Sequence, residues 1–99
     1  MGWKIIKAQV IKALKNGTFQ HEARREIETK NLLQMGRITP NDVRMLLERA
    51  RGTDHASRPH HRAPSVTVHI VTVQGWYIKF YFVEPDTVFI SVHRTGATP

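Results

Sequence analysis

The sequence predicts an α+β domain: N-terminal helices packed on one face of a small three-stranded antiparallel sheet. Three observations carry this. Apolar residues in the first half of the 99-residue chain recur with helical spacing, those in the last third alternate with a period of two, and a polar stretch with neither pattern joins the halves. Residues 1–99 read as a single domain, helical over 1–52, a loop over 53–64 and a sheet over 65–95. A chain of this length builds one core with little to spare.

The first helix is expected over residues 4–16. Trp3, Ile6, Val10 and Leu14 fall on one stripe with Ala13 beside them, and Lys4, Lys7, Lys12 and Lys15 gather on the solvent side. Asn16-Gly17 is a C-terminal stop. Residues 18–34 read as a second helix, with Ala23 and Ile27 continuing into Leu32, Leu33 and Met35 while Glu22, Arg24, Arg25, Glu26 and Glu28 stay outside. Thr39-Pro40-Asn41-Asp42 opens a third. Thr39 can cap, Pro40 suits the first helical position, and the Asp42 carboxylate meets free backbone amides. Val43, Leu46, Leu47 and Ala50 form its buried stripe, and Gly52 ends it. Residues 53–64 are rich in histidine and arginine, have no apolar period, and read as a long surface loop.

Strands are expected over 65–73, 76–82 and 88–94. In the first, Val66, Val68 and Ile70 oppose Thr67, His69 and Val71; in the second, Trp76, Ile78, Phe80 and Phe82 oppose Tyr77, Lys79 and Tyr81; in the third, Val88, Ile90 and Val92 oppose Phe89, Ser91 and His93. Gln74-Gly75 is short enough to close a hairpin, and Glu84-Pro85-Asp86-Thr87 is a turn cluster. Aligning the apolar faces buries Trp76, Ile78, Phe80 and Phe82. The same register gathers His69, Tyr77, Lys79 and His93 on the open face, with Arg94 at its edge.

Charge narrows the choice of partner. The net charge is +7 in a chain with the apolar content of a globular domain, so a polyanion is the natural ligand: RNA, DNA, anionic lipid or an acidic protein. No apolar run is long enough to cross a bilayer, and no signal peptide is visible, so no membrane partner is expected. The absence of cysteine rules out disulfides and thiolate metal sites and fits a cytoplasmic protein. Neither a metal nor another cofactor is expected: six histidines are present, but His60 and His61 are adjacent and no ligand spacing appears. No nucleophile motif, glycine-rich nucleotide loop or paired carboxylates stand out.

Metal-free cleavage of RNA needs less. A base removes the 2′-hydroxyl proton, cations stabilise the crowded phosphate, and an acid protonates the leaving 5′-oxygen. His69, Tyr77, Lys79, His93 and Arg94 supply those groups on one surface, and Arg58, His60, His61 and Arg62 are the expected RNA contacts. The alternative is a non-catalytic basic module for nucleic acid or an acidic partner protein.

Four segments carry a family resemblance: Val10-Ile11-Lys12-Ala13-Leu14-Lys15-Asn16-Gly17, Ile38-Thr39-Pro40-Asn41-Asp42-Val43, Gly75-Trp76-Tyr77-Ile78-Lys79-Phe80 and Val88-Phe89-Ile90-Ser91-Val92-His93. In their order the chain resembles the motility quorum-sensing regulator (MqsR) family of toxin ribonucleases, within the RelE-like group. The resemblance implies a RelE-like fold, an mRNA interferase that cuts mRNA, free or on the ribosome, and a cognate antitoxin protein as partner. It places the family's middle-strand tyrosine at Tyr77, a glutamine near His69 and a lysine at His93 beside Arg94. For a further family lysine the nearest cations are Arg49 and Arg51.

Overall fold

The computed structural model describes residues 2–96. Helix α1 (Trp3–Asn16) leads into a short strand β1 (Phe19–His21), a single helical turn α2 (Ile27–Lys30) and helix α3 (Pro40–Arg49). After a 3₁₀ turn at Gly52–Asp54 come β2 (His55–Pro59), β3 (Thr67–Val73), β4 (Trp76–Val83) and β5 (Asp86–Arg94). The strands form one five-stranded sheet in the order β1-β5-β4-β3-β2. Three of its pairings are antiparallel, and β1 runs parallel to β5. The α+β class stands; the three-stranded antiparallel sheet does not.

Local chemistry explains the elements. Gly17 ends α1 in the left-handed region at φ 74°, where its N–H reaches the Ala13 carbonyl. Thr39 caps α3 by accepting from the Asp42 N–H at 3.0 Å, and the Asp42 carboxylate accepts from the Thr39 N–H at 3.3 Å. The Lys7 ammonium caps the other end of α3, donating to the carbonyls of Glu48 at 2.6 Å and Ala50 at 3.2 Å. Gln74 and Gly75, both at positive φ (49° and 82°), make the two-residue turn that matches strand twist between β3 and β4.

Residues 18–34 correct the expected second helix. Between Phe19 and Ile27 the only apolar residue is Ala23, too sparse a stripe to hold a helix against the core. Phe19 instead packs edge-on against Phe89, at 5.7 Å between rings, and draws its segment into the sheet as β1. The expected loop over 53–64 is corrected likewise. Residues His55–Pro59 form an edge strand with polar, mostly exposed side chains, and Pro59 sits where an edge tolerates a missing N–H.

The helices cover one face of the sheet. Ile6, Val10, Leu14, Val43 and Leu47 pack with Val71, Val73, Ile78, Phe80, Phe89 and Val92. The opposite face stays open, with a smaller cluster of Val68, Ile70 and Ile90 flanked by Tyr77 and Tyr81. The outer strands therefore differ from the expected register. His69 pairs with Phe80 and lies on the helix-covered face with Val71, while Val68 and Ile70 face outward. In β5 the pairing runs Lys79↔Ser91 and then Phe80↔Phe89, so Ile90 is the extra residue of a β-bulge. Below it Phe89 turns inward; above it Val92 and His93 keep the expected sides.

Candidate functional site

Two chain segments close over the open face from opposite edges. After β1, the Glu22 N–H donates to the Phe89 carbonyl at 2.9 Å, carrying the chain onto the sheet. Two residues on, Arg24 donates to the Ser91 hydroxyl and, at 3.4 Å, to the carbonyl of the bulge residue Ile90. After β2, His60 turns in and is buried, 7% exposed. The segments meet where His60 Nε2 donates to Glu22 Oε1 at 3.0 Å and the Tyr81 hydroxyl donates to the same oxygen at 2.8 Å. His60 Nδ1 accepts from the Arg62 N–H at 3.1 Å, which places the ring proton on Nε2. Both ring nitrogens are thus committed, and His60 braces Glu22.

Under this bridge lies a cavity of about 150 Å³, floored by Val68 and Ile90 and walled by Glu22, Arg58, Pro59, His60, His61 and Lys79. The His60 and His61 rings stack at 5.3 Å and 5°. Burial alone would push the Glu22 carboxyl up, but hydrogen bonds from His60 and Tyr81, with the charge of Arg62, hold it below its ordinary value. Burial and the bond to Glu22 push the Tyr81 phenol up to about 12. Lys79 is lowered, first by burial and then by Arg58 and Arg24, with Glu22 opposing.

The rest of the face is laid out in rows across the strands. Tyr77 pairs with His93, their rings stacked at 5.0 Å; the next row pairs Lys79 with Ser91; the next pairs Tyr81 with Val88. Same-face neighbours on one strand are about 6–7 Å apart. Lys79 therefore stands between the Tyr77–His93 pair on one side and the Glu22–His60–Tyr81 network on the other. His93 Nδ1 donates to the Arg94 carbonyl at 2.8 Å, which leaves Nε2 of the neutral ring as an acceptor. Arg94 pairs with Trp76 and its guanidinium sits over that residue's ring at 5.5 Å, which turns it to the helix-covered side of the sheet, away from the side His93 faces.

Of the residues expected on this face, Tyr77, Lys79 and His93 share it; Arg94, one residue on from His93, turns to the Trp76 side instead. His69 does not share it either. It is 7% exposed beneath the helices, with Nδ1 at 3.1 Å from His55 Nε2 and its ring 5.5 Å from that of Phe80. His55 in turn stacks on Trp3 at 4.9 Å. Arg58 and His61 line the cavity and Arg62 is exposed beside it, whereas His60 is a buried brace rather than an exposed RNA contact. Arg49 and Arg51 lie away from the cavity. Arg49 leaves the last turn of α3 to reach the Gln74 side chain at 3.1 Å, and Arg51 opens the 3₁₀ turn.

Sequence reasoning missed Glu22, Arg24 and the role of Tyr81. The available signal was Phe19, a strand-favouring aromatic two residues after a helix stop with little apolar residue behind it. Glu22 and Arg24 then belong to a strand end rather than to the outside of a helix. Among the described residues, no three histidine, aspartate or glutamate side chains converge as a metal site would require, and no helix is long and apolar enough to cross a membrane. No protein-family model, curated protein or solved structure matches the chain.

Proposed function

We propose that the protein is a metal-independent endoribonuclease of toxin type that cuts mRNA in the cytoplasm and is neutralised by a cognate antitoxin protein. The observation that carries this reading is the position of Lys79, a partly buried cation between a stacked Tyr77–His93 pair and a carboxylate-bearing cavity on the one sheet face left open by the helices. The resemblance to the MqsR family adds support through Tyr77 and through the basic end of β5.

The chemistry follows from the layout. His93 Nε2 takes the 2′-hydroxyl proton, and the 2′-oxygen attacks the adjacent phosphorus. Lys79 stabilises the charge that gathers on the phosphoryl oxygens, and the Tyr77 hydroxyl donates to one of them. Lys79, an easier proton donor because its pKa is lowered, protonates the departing 5′-oxygen. The products are a 2′,3′-cyclic phosphate and a 5′-hydroxyl. His93→Ala and Lys79→Ala are each expected to slow cleavage of a defined RNA by about 10²–10⁴-fold. Tyr77→Phe, which keeps the ring stack, should slow it less. Cleavage should persist in EDTA. If the wild type cuts no RNA, with or without ribosomes, and is harmless on overexpression, the face is a binding surface for nucleic acid or an acidic protein.

A further inference from the structure

The cavity beside Lys79 combines an apolar floor with one carboxylate and two cations, Arg58 and Lys79. Its floor is apolar, Val68 and Ile90 being 2% and 6% exposed, and its wall carries the Glu22 carboxylate. An anion entering there would lie against that carboxylate, whereas outside it meets Lys79 and Tyr77 with no carboxylate beside it, so the backbone phosphate is placed outside. A nucleobase suits the space. It is flat and apolar on its faces, and its edge carries hydrogen-bonding groups. The His60–Glu22 and Tyr81–Glu22 bonds both fall on Oε1, so among the described residues Oε2 keeps its acceptor capacity toward a ligand. Lys79 lines the same cavity as a donor.

We propose that this cavity is a base-recognition subsite that selects keto bases, guanine and uracil, over adenine and cytosine, with Glu22 as the specificity-determining residue. Guanine and uracil each present a carbonyl oxygen next to a ring N–H. The carbonyl accepts from Lys79 and the ring N–H donates to Glu22 Oε2. Adenine and cytosine offer at the matching ring position an acceptor nitrogen, which faces the carboxylate unfavourably. Their only donors there are exocyclic amino groups, less acidic than an imide-type N–H and weaker partners for a carboxylate. His60 and Tyr81 fix the rotamer of Glu22, so the reading edge is formed before RNA arrives.

This subsite rests on the ribonuclease reading, and the test separates the two. A mixed-sequence RNA pool is cleaved by the intact protein and the new ends are mapped. The expected result is enrichment of G and U over A and C, roughly 10-fold, at one fixed position relative to the cut. Glu22→Gln should flatten that preference while cutting continues. Cleavage by the wild type with all four bases equally represented at every position overturns the subsite and leaves the ribonuclease reading intact. Absence of any cleavage overturns the ribonuclease reading instead. Binding of the four nucleoside 3′-monophosphates to the wild type then decides the subsite by itself: tighter binding of the G and U forms supports it, and equal or undetectable binding of all four overturns it.

Discussion

At the scale of single residues, His69 and His93 show how strand parity decides what a histidine can do. Both sit on neighbours of β4, but His93 faces the open side and keeps Nε2 exposed to ligand, while His69 is shut between Phe80 and His55. Burial, reinforced by His55, lowers the His69 pKa from 6.5 to about 4. The sign of the consequence is fixed. Between those values the unfolded chain takes up a proton that the folded chain refuses, so the contribution is complete above pH 6.5 and is lost as pH falls toward 4. His55 and His21, both lowered by burial, act in the same direction. Urea unfolding at pH 7 and pH 5 should show lower stability at pH 5, the His69 part being at most about 2 kcal/mol over this window. Replacing His69 with Gln should flatten the slope; an equal midpoint for the wild type at both values would contradict the buried neutral ring.

At the scale of elements, the bulge at Ile90 accounts for most of what alternation could not show. A strict period of two through residues 88–94 sends Val88 and Ile90 inward and Phe89 outward; the inserted residue reverses this on one side only. Nothing in Val-Phe-Ile-Ser-Val marks where the extra residue lies, because every member suits a strand. β4 has no such interruption, and its burial matched its alternation: Ile78 and Phe80 are inside and Lys79 is between them. The amphipathic stripes of α1 and α3 and the Gly17 stop were equally plain, but α3 ends at Arg49, and Gly52, the expected stop, opens the 3₁₀ turn instead. β1 and β2 were not, because a three-residue strand and a polar edge strand owe their conformation to the neighbours they pair with, not to their own composition. That is also why the site was half visible: Tyr77, Lys79 and His93 stand on the central strands, Glu22 and His60 on segments that only the finished sheet brings together. The register predicts a sharp contrast by denaturant unfolding. Phe89→Ala should cost about 3–5 kcal/mol and Val88→Ala less than about 1 kcal/mol; comparable losses would place the bulge elsewhere.

At the scale of the molecule, a net charge of +7 meets a sheet with one face walled by helices and the other lined with cations. RNA binding should weaken steeply as salt rises, since each phosphate neutralised releases counterions. Replacing Arg58, His61 and Arg62 with uncharged residues should reduce both affinity and the salt slope while sparing the rate for bound RNA. A salt-independent affinity in a filter-binding titration would remove the polyanion partner. The parallel pairing of β1 with β5 has a consequence in time. Phe19 finds its strand partner at Thr87, and the floor residue Ile90, Ser91 and His93 all lie on that same strand. Chains fold from the N-terminus as they leave the ribosome, and distant pairings form last. A nascent chain that has released everything through β4 still has β1 unmoored, Glu22 unplaced and no His93. On the proposed function, cutting power therefore waits until β5 has been made and paired. On that reading the chain is harmless to the message being read until the strand that completes its sheet has been made.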